Sequence, residues 1–171
     1  RLQSIEDLSQ HLSSTIDDFR NFFKINKEKE NIEAQDILTD SIKIITPTIT
    51  TNNIEIKLQM EDKSIYIETY INEIKQVILN IIKNAEDVLI ERYVVNSIIW
   101  ASCSSNGDFV SYEIEDNAGG ISDDILPKIF NPYFSTKIER DGTGLGLYMS
   151  KTIIEKHCGG TLSVINTQKG A

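Results

Sequence analysis

The chain has 171 residues, 40% of them hydrophobic and 25% charged, enough to bury one good core and to carry an appendage beside it. Its 17 Lys and Arg stand against 26 Asp and Glu, a formal net charge of −9 that argues against nucleic acid as a main partner, since phosphate backbones are held by clustered cations. A free nucleotide stays open, because a bound metal and a few local donors can neutralise its phosphates.

The two cysteines, Cys103 and Cys158, form no ligand-spaced pair, so buried thiols in a reducing, cytoplasmic setting are expected. No apolar run approaches the ~20 residues that cross a bilayer. The run around Val77–Ile82 is broken by Asn80 and ends at Lys83. The sequence opens at Arg1 inside a helix-like pattern, with neither an initiator Met nor a signal sequence, so this lack of a span is expected to describe these residues and not a longer parent.

Ile5, Leu8, Leu12, Ile16, Phe19 and Phe23 recur at steps of three and four and predict an amphipathic helix over about residues 2–26. One helix cannot bury its own stripe, so this one needs a partner helix or a second copy of itself. The charge run Lys27–Asn31 reads as a linker and places a boundary there. Beyond it, residues 34–46 have helical period. Ile54, Ile56, Leu58 and Met60 alternate as a half-buried strand, and a second strand follows near Ser64–Thr69, with Glu61-Asp62-Lys63 as a hairpin turn between them. Residues 72–91 predict a strong helix, and strands at about 97–103 and 109–116 are joined by a turn at Ser105-Asn106-Gly107. Residues 121–142 are irregular, a helix runs from about 145 to 157 and ends at Gly159-Gly160, and Leu162–Ile165 reads as a strand. This order suggests an α/β sandwich with one sheet covered on one face by three helices.

Three places break the local rules. The 72–91 helix carries its core on Ile74, Val77, Ile78, Ile81, Ile82, Ala85, Val88 and Leu89, while Asn80, Asn84 and Asp87 line one margin of that stripe. Asn is a poor helix-interior residue, and two of them one turn apart suit a hard cation such as Mg²⁺, with a plain polar flank as the alternative. In the 109–116 strand Val110, Tyr112, Ile114 and Asp116 share one side, which puts a carboxylate at the end of a core-facing row. Asp116 could accept the amine of adenine and repel the oxygen of guanine, or it could simply cap a turn. Asn117-Ala118-Gly119-Gly120 after it lets backbone approach a flat ligand. Gly142-Thr143-Gly144-Leu145-Gly146-Leu147 opens the next helix and can cradle phosphates, although it lacks both the Lys of a Walker loop and the preceding strand of a dinucleotide fingerprint.

In this order the three weak signals reinforce one another. Asn80–Ala85 resembles the N box of histidine kinases, Asp116–Ile121 the G1 box, Ile129–Lys137 the F box, and Gly142–Leu147 the G2 box. The resemblance runs from about residue 31 to the end. It implies an α+β fold, a two-layer α/β sandwich of the Bergerat type shared with gyrase, MutL and the large ATP-dependent heat-shock chaperone. That fold would be preceded by one long dimerisation helix, with residues 1–29 as partial dimerisation helix and 30–171 as catalytic domain. By the same resemblance Asn84 would ligate Mg²⁺, Asn80 would support the metal or a phosphate, and Asp87 would line the nucleotide. Asp116 would bind adenine N6, with Gly120 and Ile121 at the base edge. Phe130 and Phe134 would anchor a mobile lid at 121–142 from which Lys137 reaches the phosphates held by Gly142, Thr143, Gly144, Leu145, Gly146 and Leu147. Ala118 stands where glycine is commoner, and its methyl would narrow the pocket slightly.

The N-terminal helix, with Thr15–Lys24, resembles the second helix of the dimerisation and phosphotransfer hairpin, implying a homodimer through it. His11 is followed by Leu12-Ser13-Ser14 and does not match the acceptor motif, and His157 reads as a cap at the last helix's C-terminus, so the acceptor histidine is expected elsewhere. The family continues past Gly170-Ala171 into one more strand. Gyrase-like hydrolysis uses a Glu in the N box to orient water, and Asn80 stands there instead, which cannot act as a general base. The implied activity is therefore ATP-dependent phosphorylation of a protein histidine and onward transfer to an Asp of a response-regulator receiver domain, with ATP and Mg²⁺ as cofactors and any membrane attachment in other parts of the parent. A water-using ATPase and a non-catalytic dimeric interaction module are the alternatives. The sequence alone would bind Mg-ATP without phosphorylating itself.

Overall fold

The computed structural model describes residues 28–137 and 143–171. The expected helix over 2–26, His11 and Gly142 lie outside the described residues. Strand β1 (Glu30–Glu33) leads into helix α1 (Ala34–Thr51), then β2 (Glu55–Met60), β3 (Tyr66–Thr69), helix α2 (Ile71–Glu91), β4 (Ile98–Ser105) and β5 (Val110–Asp116). After a short 3₁₀ turn at Leu126–Lys128, helix α3 (Gly146–Thr152) passes directly into a π-helical turn at Ile153–His157. Among the described residues no helix is long and apolar enough to cross a membrane.

Helix α1 buries Ala34, Ile37, Leu38, Ile42 and Ile49. It continues past its expected end at residue 46, straight through Pro47. An interior proline costs about 3 kcal/mol, but the final turn buries Ile49 to 2% exposure, which offsets much of that. Helices α1 and α2 then end in the same way. Asn53 (φ 55) and Tyr93 (φ 51) take the left-handed conformation, and the amides of Ile54 and Val94 close back onto the carbonyls of Ile49 and Leu89.

The strands form two sheets. β2, β4 and β5 make one, with β2 parallel to β4 (Glu55 opposite Ile98) and β4 antiparallel to β5 (Ile99 opposite Asp116). β1 and β3 make the other, antiparallel, with Glu30 opposite Thr69. The expected hairpin between β2 and β3 is therefore corrected: residues 61–65 carry the chain from one sheet to the other. Buried Gln35 holds that crossing, donating to the Lys63 carbonyl at 2.8 Å and accepting from the Ile65 amide at 3.2 Å. The β4–β5 hairpin forms as expected around Asn106-Gly107.

The core lies between the helices and the sheets, centred on Ile37, Leu38, Ile82, Leu89 and Ile99. Along β4 Ile99, Ala101 and Cys103 point into it, and burial pushes the free Cys103 thiol up to about 11. Ile81 and Val88, expected in the core, are half-buried, whereas Glu73 and Glu86 of the same helix are buried. Glu86 accepts from Asn52 and Lys83, both at 2.7 Å.

Leu162–Ile165 is not a strand. Leu162 and Val164 are half-buried and alternate with exposed neighbours, but the segment forms no ladder. Backbone pairing occurs further on, where the Asp116 amide donates to the Ala171 carbonyl and the Gly119 amide to the Lys169 carbonyl.

Candidate functional site

Helix α2 and the residue that caps it reach three neighbouring segments, helix α3, the F segment and the turn after β5, from positions 80, 87 and 92. From Asn80 to Arg92 this spans about 18 Å at 1.5 Å per residue. At the first of these positions, the Asn80 amide nitrogen donates to Ser150 Oγ at 3.0 Å, and Ser150 is buried on α3. A Cβ on Gly146 would lie 2.5 Å from Asn80 Oδ1, so a glycine there lets α3 begin against the Asn80 side chain. One turn on, Asn84 is half-buried and its side chain makes no hydrogen bond among the described residues.

Asp87 holds two lysines, Lys83 at 3.1 Å and Lys137 at 2.6 Å. Burial works against the Lys83 ammonium, but its bonds to Glu86 and Asp87 outweigh this and raise its pKa. Lys137, expected at phosphates, thus reaches toward α2 from the F segment. That segment in turn packs on the glycine loop. Gly144 (φ 66) lies so close to Tyr133 and Phe134 that an added Cβ would stand 2.7 Å from the Phe134 amide nitrogen and 2.8 Å from its carbonyl oxygen. Phe134 is half-buried, and Lys151 places its ammonium 4.6 Å from the Phe130 ring centroid. Thr143 Oγ1 accepts from the Leu145 amide at 3.3 Å, Leu145 is buried, and Leu147 is half-buried.

The third segment follows β5. Asp116 is buried, and its Oδ1 accepts the Ala118 amide at 2.7 Å. Burial raises its pKa above the ordinary 3.8, opposed by that amide and by the Arg92 cation. Among the described residues no fully buried side-chain oxygen lacks a partner, so Asp116 Oδ2, which has no hydrogen bond among those residues, keeps some exposure to solvent or a ligand. Gly170 sits directly on this acid, where a Cβ would be 2.7 Å from Oδ1. Ala118 keeps a negative φ, unlike Gly119 (φ 90) and Gly120 (φ 79), and its methyl is buried with the hydrophobic core.

Sequence reasoning misses the side chains that hold this turn. Arg92, the residue that ends α2, donates from Nη1 to the Ala118 carbonyl and, at 3.0 Å, to the Gly120 carbonyl. Asn166 grips Ile121 from the other side, accepting from its amide at 2.8 Å and donating to its carbonyl at 2.6 Å. Asn117 ties the strand end to the start of β4, accepting from the Ile98 amide at 2.8 Å. A basic residue just past a helix end signals only a favourable dipole contact, and nothing in the sequence marks Asn166. His157 closes the π turn and faces buried Glu73 in the first turn of α2, at 3.0 and 3.1 Å from its two oxygens.

Residues 69–171 match the family model described as histidine kinase-, DNA gyrase B- and HSP90-like ATPase, which is more than half of the chain. The chain belongs to this ATPase family. Among its curated relatives, the sensor histidine kinase ZraS of Escherichia coli (strain K12) is 30% identical over 137 residues, 80% of this chain and 28% of ZraS. Sporulation kinase A of Bacillus subtilis is 32% identical over 134 residues, 78% of this chain and 21% of that kinase. The chain thus spans less than a third of either relative. The nucleotide-free catalytic domain of histidine kinase ThkA shares the fold, with a TM-score of 0.70 at 23% identity over 83% of this chain and 90% of that one. ThkA in complex with the response regulator protein TrrA gives a TM-score of 0.75 at 23% identity over 96% of this chain and 46% of that one. The mixed α/β architecture expected from the sequence is that of these kinase domains.

Proposed function

We propose that this chain is the ATP-binding catalytic part of a two-component sensor histidine kinase. It binds ATP with Mg²⁺, and the γ-phosphoryl group passes to a histidine on a helix outside this sequence and then to an aspartate of a receiver domain. Residues 2–26 would pair with a second copy. The observation that carries the reading is the bonding of α2 and its capping residue to helix α3, the F segment and the turn after β5 through Asn80, Asp87 and Arg92, with an amide and no acid at position 80.

The donor set fits the cation. Carboxamide oxygens are neutral, hard donors, and Asn84 has no protein partner among the described residues. Among those residues no three His, Cys, Asp or Glu side chains converge on one point, so Mg²⁺ would rest on Asn84 and Asn80, on water and on the phosphates themselves. Bound there, it would neutralise charge building on the phosphates during transfer.

The chain's own groups would do the positioning. Asp116 Oδ2 would accept the adenine amine, and the Gly144–Gly146 backbone would face the phosphates beside Lys83 and Lys137. Lys137 would exchange Asp87 for a phosphate oxygen. Asn80 cannot take a proton from water, so the attacking group comes from elsewhere. An imidazole nitrogen bonds to the γ-phosphorus as the bond to the β–γ bridging oxygen breaks; ADP leaves with that electron pair and the imidazole proton goes to solvent.

Calorimetry with Mg-ATP, alongside incubation with γ-labelled ATP, tests the reading. Wild type should bind, Asp116→Ala should not, the chain should take up no label, and phosphate release should stay slow. Rapid steady release would mark a water-using ATPase, and absence of binding would mark an interaction module.

A further inference from the structure

We propose that Arg92 is a positioning residue for base recognition, holding the turn after β5 in the shape that presents Asp116 to the 6-amine of adenine. This rests on the nucleotide reading above and names the group that sets its base specificity.

The turn has an unusual electrostatic demand. Gly119 and Gly120 both take the left-handed conformation, and the carbonyls of Ala118 and Gly120 converge on one point. Two carbonyl dipoles aimed at one place repel unless a donor with at least two hydrogens fills it. Arg92 Nη1 is that donor, and its charge strengthens both bonds. Other polar groups of the turn are held by different residues: Asp116 takes the Ala118 amide, the Lys169 carbonyl the Gly119 amide, and Asn166 both polar groups of Ile121.

The placement of Arg92 is fixed by its own helix. It is the residue at which α2 stops, and the reversal behind it is bonded through the Tyr93 amide to Ile90 and the Val94 amide to Leu89. The same helix carries Asn80 and Asn84. Arg92 therefore fixes the distance between the end of the site that would hold the base and the end that would hold the phosphates. The Arg92 residue is exposed and outside the core, so changing it leaves the fold's packing intact.

The test compares Mg-ATP with the Mg complex of purine riboside triphosphate, which lacks the 6-amine, by displacement of a fluorescent ATP analogue from the whole chain. Wild type should prefer ATP, and Arg92→Met should weaken ATP binding roughly tenfold to a hundredfold, the range for lost hydrogen bonds to a charged group. The analogue's affinity should change by about twofold at most, so the preference collapses, and Arg92→Lys should restore part of it because an ammonium also offers several donors. If both affinities fall in step with the preference kept, Arg92 is merely structural and the proposal is wrong. Unchanged affinities overturn it equally. A wild type that binds neither nucleotide overturns the proposed function as well.

Discussion

Replacing Gly144 with alanine separates the two demands that the glycine loop makes on its backbone. The residue sits at φ 66, and an added Cβ would stand 2.7 Å from the Phe134 nitrogen and 2.8 Å from its carbonyl oxygen, with the Tyr133 carbonyl carbon closer still. These are main-chain atoms, which cannot swing aside as a side-chain tip can. The left-handed conformation alone costs alanine about 1 kcal/mol, and forcing a methyl into packed backbone adds about 1–3 kcal/mol. The sum, about 2–4 kcal/mol, falls on the docking of the F segment onto the loop. If nucleotide binding needs that docking, Mg-ATP affinity drops roughly 30- to 700-fold at 1.4 kcal/mol per tenfold. Gly107 supplies the control. It has φ 96 in the β4–β5 hairpin, with nothing within 4 Å of an added Cβ. Gly107→Ala should lower the melting temperature by about 2–4 °C and leave affinity alone. Calorimetry and thermal melts on both variants decide the matter. Equal affinities for the two would refute the argument that contact with the F segment, and not backbone strain, makes Gly144 necessary.

Two further outcomes concern stability. Because burial raises the Asp116 pKa above 3.8, the folded state binds that proton more tightly than the unfolded chain, so stability is present below the unfolded value and lost as pH rises through the folded one. Asp116→Asn should therefore melt higher than wild type at neutral pH, with the gain vanishing as pH falls toward 3.8, even as ATP binding is lost; a lower melting temperature at neutral pH would contradict this. Tyr93 takes φ 51 at the end of α2 while 88% exposed, so Tyr93→Gly should stabilise the chain by about 1 kcal/mol, read as a rise in the midpoint of urea unfolding.

The sequence reveals whatever local pattern determines. Helix α2 is legible because 21 residues of apolar period leave Asn80, Asn84 and Asp87 conspicuous on its margin, and the glycine loop is legible because its composition is extreme. Strand pairing is less legible. Two strands separated by Glu61-Asp62-Lys63 invite a hairpin, yet β2 gains its partner in parallel β4, 38 residues beyond Met60, and such a distant pairing leaves no local signal in the sequence. Helix α1 likewise departs from its local signal, since the burial of Ile49 carries it through Pro47. The site divides along this line as well. Residues expected to touch a ligand carry chemical signatures, but Arg92 and Asn166 act on main-chain carbonyls and amides 26 to 45 residues away, and any backbone offers those groups. Side chains that bind backbone leave no partner residue to recognise, so the scaffold of this site becomes visible only when the chain is folded. That scaffold is what decides how rigidly Asp116 is held, and thus whether the amine preference proposed for it would survive the loss of the single cation at the end of α2.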